Sequence, residues 1–349
     1  MPSRRRSIAG SIVPLAFAVA LVASLAPRVA HAAAPSFSGV LFGDAFWVVS
    51  HNDKSIQDRT AFWLRRVYFT MDQPLDEGMD ARVRLEMNDP GDFTSRSRLT
   101  PYLKEGWVQW TWGDHALVAG LGPTPTWHQV EAIWGYRFLE KTPLDLQRLG
   151  QPTDLGVAMN GAFGPEKRGV YRVMLSNGSG TSSEPDKGKK VMGSVGQSLA
   201  SGLVIEIYGD IEARPGSTNR STVQCFVGRS AETMRWGVQF ARQVQERPGA
   251  SDLDIDLLSA FATWKARENV WLIGRFDRLF DPNPEADDIP YLELDPTAEQ
   301  TVLIGGIDFV LRGKVHLVPN IEAVVYSVDG GTGPDDDILA RLTLYVPWP

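Results

Sequence analysis

"MDARVRLEMN", residues 79 to 88, alternates with a period of two: Ala81, Val83, Leu85 and Met87 share one face, and Arg82, Arg84, Glu86 and Asn88 share the other. This is the pattern of a strand with one greasy side and one wet side. It recurs in Leu203 to Glu212, where Leu203, Ile205, Ile207 and Ile211 oppose Glu206, Tyr208, Asp210 and Glu212, and again at Val302 to Leu311, Leu317 to Tyr326 and Ile338 to Trp348. One such segment fits a soluble sheet as well as a membrane one, so the full set has to decide.

Working outward gives about sixteen candidate strands, near 36–50, 60–71, 79–88, 103–112, 115–122, 154–162, 170–176, 189–198, 202–213, 220–230, 233–245, 255–267, 269–279, 301–311, 315–328 and 336–347. The number is even and within the range of outer-membrane barrels. The connectors alternate in kind. Those after even strands are short, such as Gly113-Asp114 and Ala231-Glu232, with "DQPLDEG" and "GPEKRG" the longest; those after odd strands are long and polar, such as "NGSGTSSEPDKGKK" and "FDPNPEADDIPYLELDPTAEQ". A barrel inserted from one side needs small turns on its trailing rim, whereas a secreted sandwich or solenoid, the competing architecture, has no reason to keep that parity. Trp47, Trp63, Tyr68, Trp107, Trp110, Trp112, Trp236, Trp264, Trp271, Tyr345 and Trp348 gather at strand ends, as interfacial girdles do.

The amino end sets the compartment. Arg4, Arg5 and Arg6 precede an apolar run from Ile8 to Leu25 and the small-x-small Ala30-His31-Ala32, so residues 1–32 read as a cleaved secretory signal peptide and 33–349 as a single barrel domain. Past the signal there is no apolar run long enough for a membrane helix. The one cysteine, Cys225, cannot form an internal disulfide, and a formal net charge of -7 argues against nucleic acid as a partner.

Between the fifth and sixth strands lies "GPTPTWHQVEAIWGYRFLEKTPLDLQRLG", residues 122–150. It is long, aromatic and charged with both signs, and it follows an odd strand. A lumen of sixteen strands is too wide for side chains to fill, so this third long loop, containing short helix, is expected to fold inward and constrict it. Trp127 and Trp134 are then packing residues, with Ile133, Phe138 and Leu139, while His128, Glu131, Arg137, Glu140 and Lys141 face the lumen. A surface lid helix is the other reading.

At this point "GDAFW", "FWLRRVYFT", "GPTPTW", "IWGYRFLEKTPLDLQRLG", "DLGVAMNG", "YGDIEARPG", "RWGVQFA", "FDRLFDPNP" and "GIDFVL" together resemble the porins grouped with the phosphate-selective porins O and P, across nearly the whole mature chain. The resemblance implies a 16-stranded, homotrimeric, passive outer-membrane channel of a Gram-negative bacterium. Phosphate-selective members carry a dense ladder of Arg and clustered Lys, and here Lys is sparse.

Alternation assigns the wall, because the polar face of each strand is the inner one. The basic side holds Arg82, Arg84, Arg172, Lys265, Arg275 and Arg341, with one of Arg65 and Arg66 unless a bulge turns both inward. The acidic side holds Glu86, Glu206, Asp210, Glu212, Asp277, Asp308 and Glu322. Strand sixteen closes on strand one, which brings Arg341 within three strands of Arg82 and Arg84 and predicts a basic stretch facing an acidic one. Such a wall hands carboxylates or phosphates from donor to donor. Alternatively, the charges pair with one another and only keep the lumen wet.

Chemistry motifs are few. His51, His115, His128 and His316 offer no pair at metal-ligand spacing, so neither a metal nor a cofactor is expected. There is no G-x-S-x-G elbow and no P-loop, and "DPNPEADD" breaks the calcium-loop pattern at Glu285 and Ala286. The last strand, "ILARLTLYVPWP", resembles a signal read by the β-barrel assembly machinery, with Pro349 following the aromatic Trp348. The expected partners are small hydrophilic solutes or anions, outer-membrane lipid and lipopolysaccharide. An outer-membrane barrel enzyme such as a lipase or acylase, and a secreted glycan-binding β protein, are the alternatives.

Overall fold

The computed structural model describes residues 33–93, 98–328 and 330–349; the expected signal peptide, residues 1–32, lies outside the described residues. Sixteen antiparallel strands close into one barrel in which every strand pairs with its sequence neighbours and β1 (Ser36–Ser50) pairs with β16 (Asp337–Trp348). Between them run β2 (Thr60–Asp76), β3 (Met79–Met87), β4 (Tyr102–Trp112), β5 (His115–Pro123), β6 (Thr153–Phe163), β7 (Gly169–Ser176), β8 (Lys190–Ser198) and β9 (Leu203–Glu212). The series continues with β10 (Arg220–Ser230), β11 (Met234–Gln245), β12 (Leu253–Arg267), β13 (Val270–Leu279), β14 (Glu299–Val310) and β15 (His316–Ser327). Closure leaves no sheet edge, so strand pairs with strand all the way round the ribbon, interrupted only at bulges and irregularities.

The parity expected from the connectors is present. Connections after even strands span two to five residues, and those after odd strands seven to twenty-nine. "DQPLDEG" is mostly strand, since β2 runs on to Asp76 and only Glu77 and Gly78 form the turn. Val157, Leu175, Ile207, Ile211, Val223 and Ile321 stand exposed on the outer face. Water would not tolerate a belt of that kind, which marks the fold as a transmembrane barrel.

Two bulges re-aim charged side chains. Phe42 pairs with Arg66 and Asp44 with Trp63, so Gly43 alone opposes Leu64 and Arg65, and the extra residue turns both Arg65 and Arg66 inward. A side chain at Gly43 would collide with the Trp63 carbonyl, so glycine is what lets β2 cross this close. The second bulge lies between Arg84–Glu105 and Leu85–Leu103, and there Lys104 and Glu105 both reach inner-face partners.

The interior departs from the polar lining that alternation predicts. Ile255, Leu257 and Phe261 of β12, Ile273 and Leu279 of β13, Val302 and Ile304 of β14, and Phe42, Phe46 and Val48 of β1 are inward-facing and buried in one core. The aromatics divide too. Trp47, Trp110 and Trp264 are exposed on the outside, but Trp63 stacks on Phe46 with centroids 3.8 Å apart, and Tyr345 stacks on Phe138 at 4.3 Å.

Candidate functional site: the inward loop and the passage beside it

The loop after β5 supplies the other half of that core. It carries two short helices, α1 (His128–Trp134) and α2 (Pro143–Leu146). Val130, Ile133 and Trp134 fall on one face of α1 and are buried, and α1 packs against β10 and β11. Gly135 ends α1 at φ 68°, a left-handed cap that favours glycine, and the Arg235 guanidinium lies against it. Trp134 meets Phe261 edge-on at 5.2 Å, and its Nε1 donates to the Glu140 carbonyl over 2.9 Å.

Ion pairs rivet the loop to the wall. Arg65 donates to the carbonyls of Phe138 (2.7 Å) and Leu139 (2.8 Å), while its Nε lies 3.2 Å from Asp44 and its Nη1 3.6 Å from Glu140. Arg341 pairs with Glu140 at 3.4 Å and with Glu322. Arg275 holds Asp277 with Nε 2.9 Å from Oδ2, reaches the Lys141 carbonyl and lies 5.3 Å over the Trp134 ring. Burial alone would raise the Glu140 carboxyl, but Arg65 and Arg341 outweigh it and hold it below the usual carboxylate range. Asp308 is fully buried, 3.0 Å from the Tyr136 hydroxyl and 2.8 Å from His316 Nδ1.

These positions correct the expected wall. Arg65, Arg275, Arg341, Glu140, Asp277, Asp308 and Glu322 do not face open lumen; they are buried under or against the loop, because the core side of the barrel is filled. Arg66 and Glu86 are buried as well, paired at 2.8 Å, with Lys104 3.2 Å from Glu86 on the other side. A basic stretch facing an acidic one does not form, since nearly every charge has a local partner of opposite sign.

Half-exposed charges concentrate elsewhere, between the loop and the β2–β4 wall. Arg82 lies 2.6 Å from Asp72 and 3.6 Å from Glu105, and Arg84 pairs with Glu105. Each guanidinium rests on an aromatic face, Arg82 on Trp107 at 5.3 Å and Arg84 on Tyr68 at 5.4 Å. Opposite, Arg137 of the loop lies 3.0 Å from Asp145 and 3.7 Å from Glu131, whose carboxylate is the most open of this group at 43% exposure. Two cavities of about 430 and 420 Å³ share Tyr68, Arg84 and Arg137 as common wall. Trp127 and Trp134 are buried core and Lys141 is half-buried, its ammonium held down to about 8 by burial.

On the β7–β9 side, Arg172 donates to His128 Nε2 over 2.8 Å, and Glu206 is buried. His128 is exposed to the lumen yet enclosed by the surrounding barrel, and this enclosure, then Arg172, push its imidazole down to about 4, so it is the neutral form that accepts this bond. Lys190 sits 3.3 Å from Asp210 and 3.4 Å from Glu212. Lys265 is half-buried at the short-turn end of β12.

Sequence reasoning missed three things. Arg235 faces inward at the start of β11 with its guanidinium 5.5 Å over Trp271, a position strict alternation along "MRWGVQF" would have given. Lys104 and Glu105 were hidden by their bulge. The loop after β13, long and polar in sequence, folds in: Ala286, Ile289, Tyr291, Leu292 and Leu294 are buried, Asn283 donates to the Gln147 carbonyl at 2.9 Å, and the Tyr291 hydroxyl reaches the Arg65 carbonyl at 3.0 Å. The run of apolar residues in "IPYLEL" was its signal.

No family model matches this sequence, and no curated protein does either. Solved structures match at the level of the fold. The outer membrane channel DcaP of Acinetobacter baumannii superposes with a TM-score of 0.64 at 13% identity, over 93% of this chain and 100% of that one. An anion-selective porin from Comamonas acidovorans gives 0.63 at 11% identity, over 90% and 99%. OmpT, an outer-membrane protein of Vibrio cholerae also solved in a trimer form, gives 0.63 at 12% identity, over 90% and 97%. This is a porin fold.

Proposed function

We propose that the chain is a passive outer-membrane porin of a Gram-negative bacterium. Small hydrophilic solutes cross it by diffusion, without catalysis, and anions are preferred. The observation that carries the reading is a closed ribbon, greasy outside, with two cavities beside the inward loop that meet along Tyr68, Arg84 and Arg137 on the β2–β4 side. Guanidiniums flank that passage on both sides; of the carboxylates that line it, Glu105 beneath Arg82 and Arg84 is buried at 5% exposure, and the open Glu131 lies 3.7 Å from Arg137. The finer resemblance to phosphate-selective porins supports an anion, while the local neutralisation of most arginines disfavours a site built for a doubly charged one. Homotrimeric assembly is part of the proposal, supported by the trimer form of a fold relative.

The four mature histidines bear on the enzyme alternative. His115 contacts the Tyr171 hydroxyl, His128 accepts from Arg172, His316 contacts Asp308, and His51 contacts the Leu292 carbonyl. Among the described residues no serine hydroxyl is bonded to any of them. Recording in planar bilayers tests the proposal: ohmic current steps are expected, with a reversal potential of anionic sign in a salt gradient. Protein that inserts and passes no current would contradict it.

A further inference from the structure

The cavity on the short-turn side of the loop has a chemistry that general diffusion does not require. Its walls include the rings of Tyr136, Phe138, Trp271 and Tyr345. Phe138 and Tyr345 are stacked, and His316 closes one corner at 5.2 Å from Phe138 and 5.5 Å from Tyr345. A chamber meant only to stay wet would be lined with hydroxyls and amides rather than with rings. Rings in a chamber of about 420 Å³ are what a small organic ligand is held by.

The charges of this chamber are sorted. Its one lining carboxylate, Asp308, is fully buried and turned toward Tyr136 and His316, so it presents little charge to the space. Arg84 and Arg137, at the entrance from the passage, already have carboxylate partners. Arg235 differs. Among the described residues it has no carboxylate within ion-pair distance, and its guanidinium lies over Trp271, with its donors uncommitted. One free cation on an aromatic face suits one negative charge attached to a planar apolar body. A doubly charged oxyanion would find only half its charge met and would have to shed water against rings that offer no donor.

We propose that this chamber is a binding subsite for small aromatic carboxylates, with the ligand ring among Trp271, Phe138 and Tyr345 and its carboxylate on Arg235. The proposal rests on the channel reading and names the solute class that the channel favours. Solutes stacked there have a short residence in transit, so the subsite shows itself as interruption of the ion current.

The test uses the full mature protein in planar bilayers with benzoate, cyclohexanecarboxylate, acetate or inorganic phosphate added to each side in turn at equal ionic strength. Benzoate is expected to interrupt the current with dwell times about fivefold longer than its saturated counterpart, while acetate and phosphate cause no resolved interruptions. Arg235→Gln should shorten the benzoate dwell about tenfold, the loss expected when a hydrogen bond to a charged group is removed. Trp271→Leu should shorten it about fivefold, and Trp271→Phe should keep most of it. Interruptions of equal length from benzoate and acetate, or a benzoate dwell unmoved by Arg235→Gln, would overturn the subsite. Should Trp271→Leu fail to fold, the ligand series on the native protein still decides. Current steps without benzoate interruption sink the subsite alone; absence of any steps sinks the channel reading beneath it.

Discussion

Two arcs of one barrel obey the same alternation and end with opposite interiors. From β10 round to β1 the inward positions supply most of the apolar core packed against the loop after β5, with buried hydroxyls and amides among them, and the ions of that arc and loop, Arg275, Arg341, Glu140 and Glu322, together with Arg65 from the adjoining β2, are buried and paired. From β2 to β4 the inward positions are charged, and Arg82 and Arg84 keep 28% and 27% of their side chains exposed. The same residue type therefore does two jobs. On the packed arc an arginine is a rivet whose loss strands carboxylates in a dry place; on the open arc it is a surface that a solute meets.

The largest effect expected from this contrast is on the packed arc. Removing residues 126–144 deletes eight buried apolar side chains, Trp127, Val130, Ile133, Trp134, Tyr136, Phe138, Leu139 and Leu144. At about 1.5–3 kcal/mol each, the loss is on the order of 12–24 kcal/mol, at or above a whole domain's stability. The deletion should therefore abolish the compact, heat-resistant band on gels rather than yield a wide, well-behaved channel. A folded variant with simply raised conductance would show that the loop is a plug and not a core.

A single rivet comes next. Arg341→Met leaves Glu140 and Glu322 without a shared partner and should cost about 3–5 kcal/mol, read as a lower unfolding midpoint in detergent and noisier current. On the open arc, Arg82→Gln with Arg84→Gln should change stability little by comparison and move the reversal potential toward cation preference. A shift of equal size from Arg341→Met would erase the distinction between the arcs.

The smallest effect is pH-dependent. The folded pKa of His128 lies below its ordinary value of 6.5, at about 4, so folding favours the neutral imidazole. Its contribution is complete above pH 6.5 and is lost as pH falls toward 4, where a second positive charge would face Arg172. Loop-linked current noise should rise over that interval and lose its pH dependence in His128→Gln.

The strands were legible because lipid imposes a strict outer face, and that face set the period at segments as different as Met79–Met87 and Leu203–Glu212. The inner face was less legible because the assumption that it is polar holds only where water reaches it. At β12 the inward Ile255, Leu257 and Phe261 answer Trp134 of a loop more than a hundred residues away, a pairing no local pattern carries. Bulges were the second obstacle. Arg65 and Arg66 cannot both point inward under a period of two, and the residue that permits it, Gly43, is on the neighbouring strand. Arg235, by contrast, sits in plain alternation, a lone charge at the start of β11 apart from the clustered ones.

The central claim, an off-centre passage bounded by Arg84, is tested most directly by chemical modification during single-channel recording. In a Cys225→Ser background, which removes the exposed native thiol, Arg84→Cys should respond to a bulky charged thiol reagent with an abrupt drop in current. Complete modification of that cysteine with the current unchanged would mean that ions travel by another route.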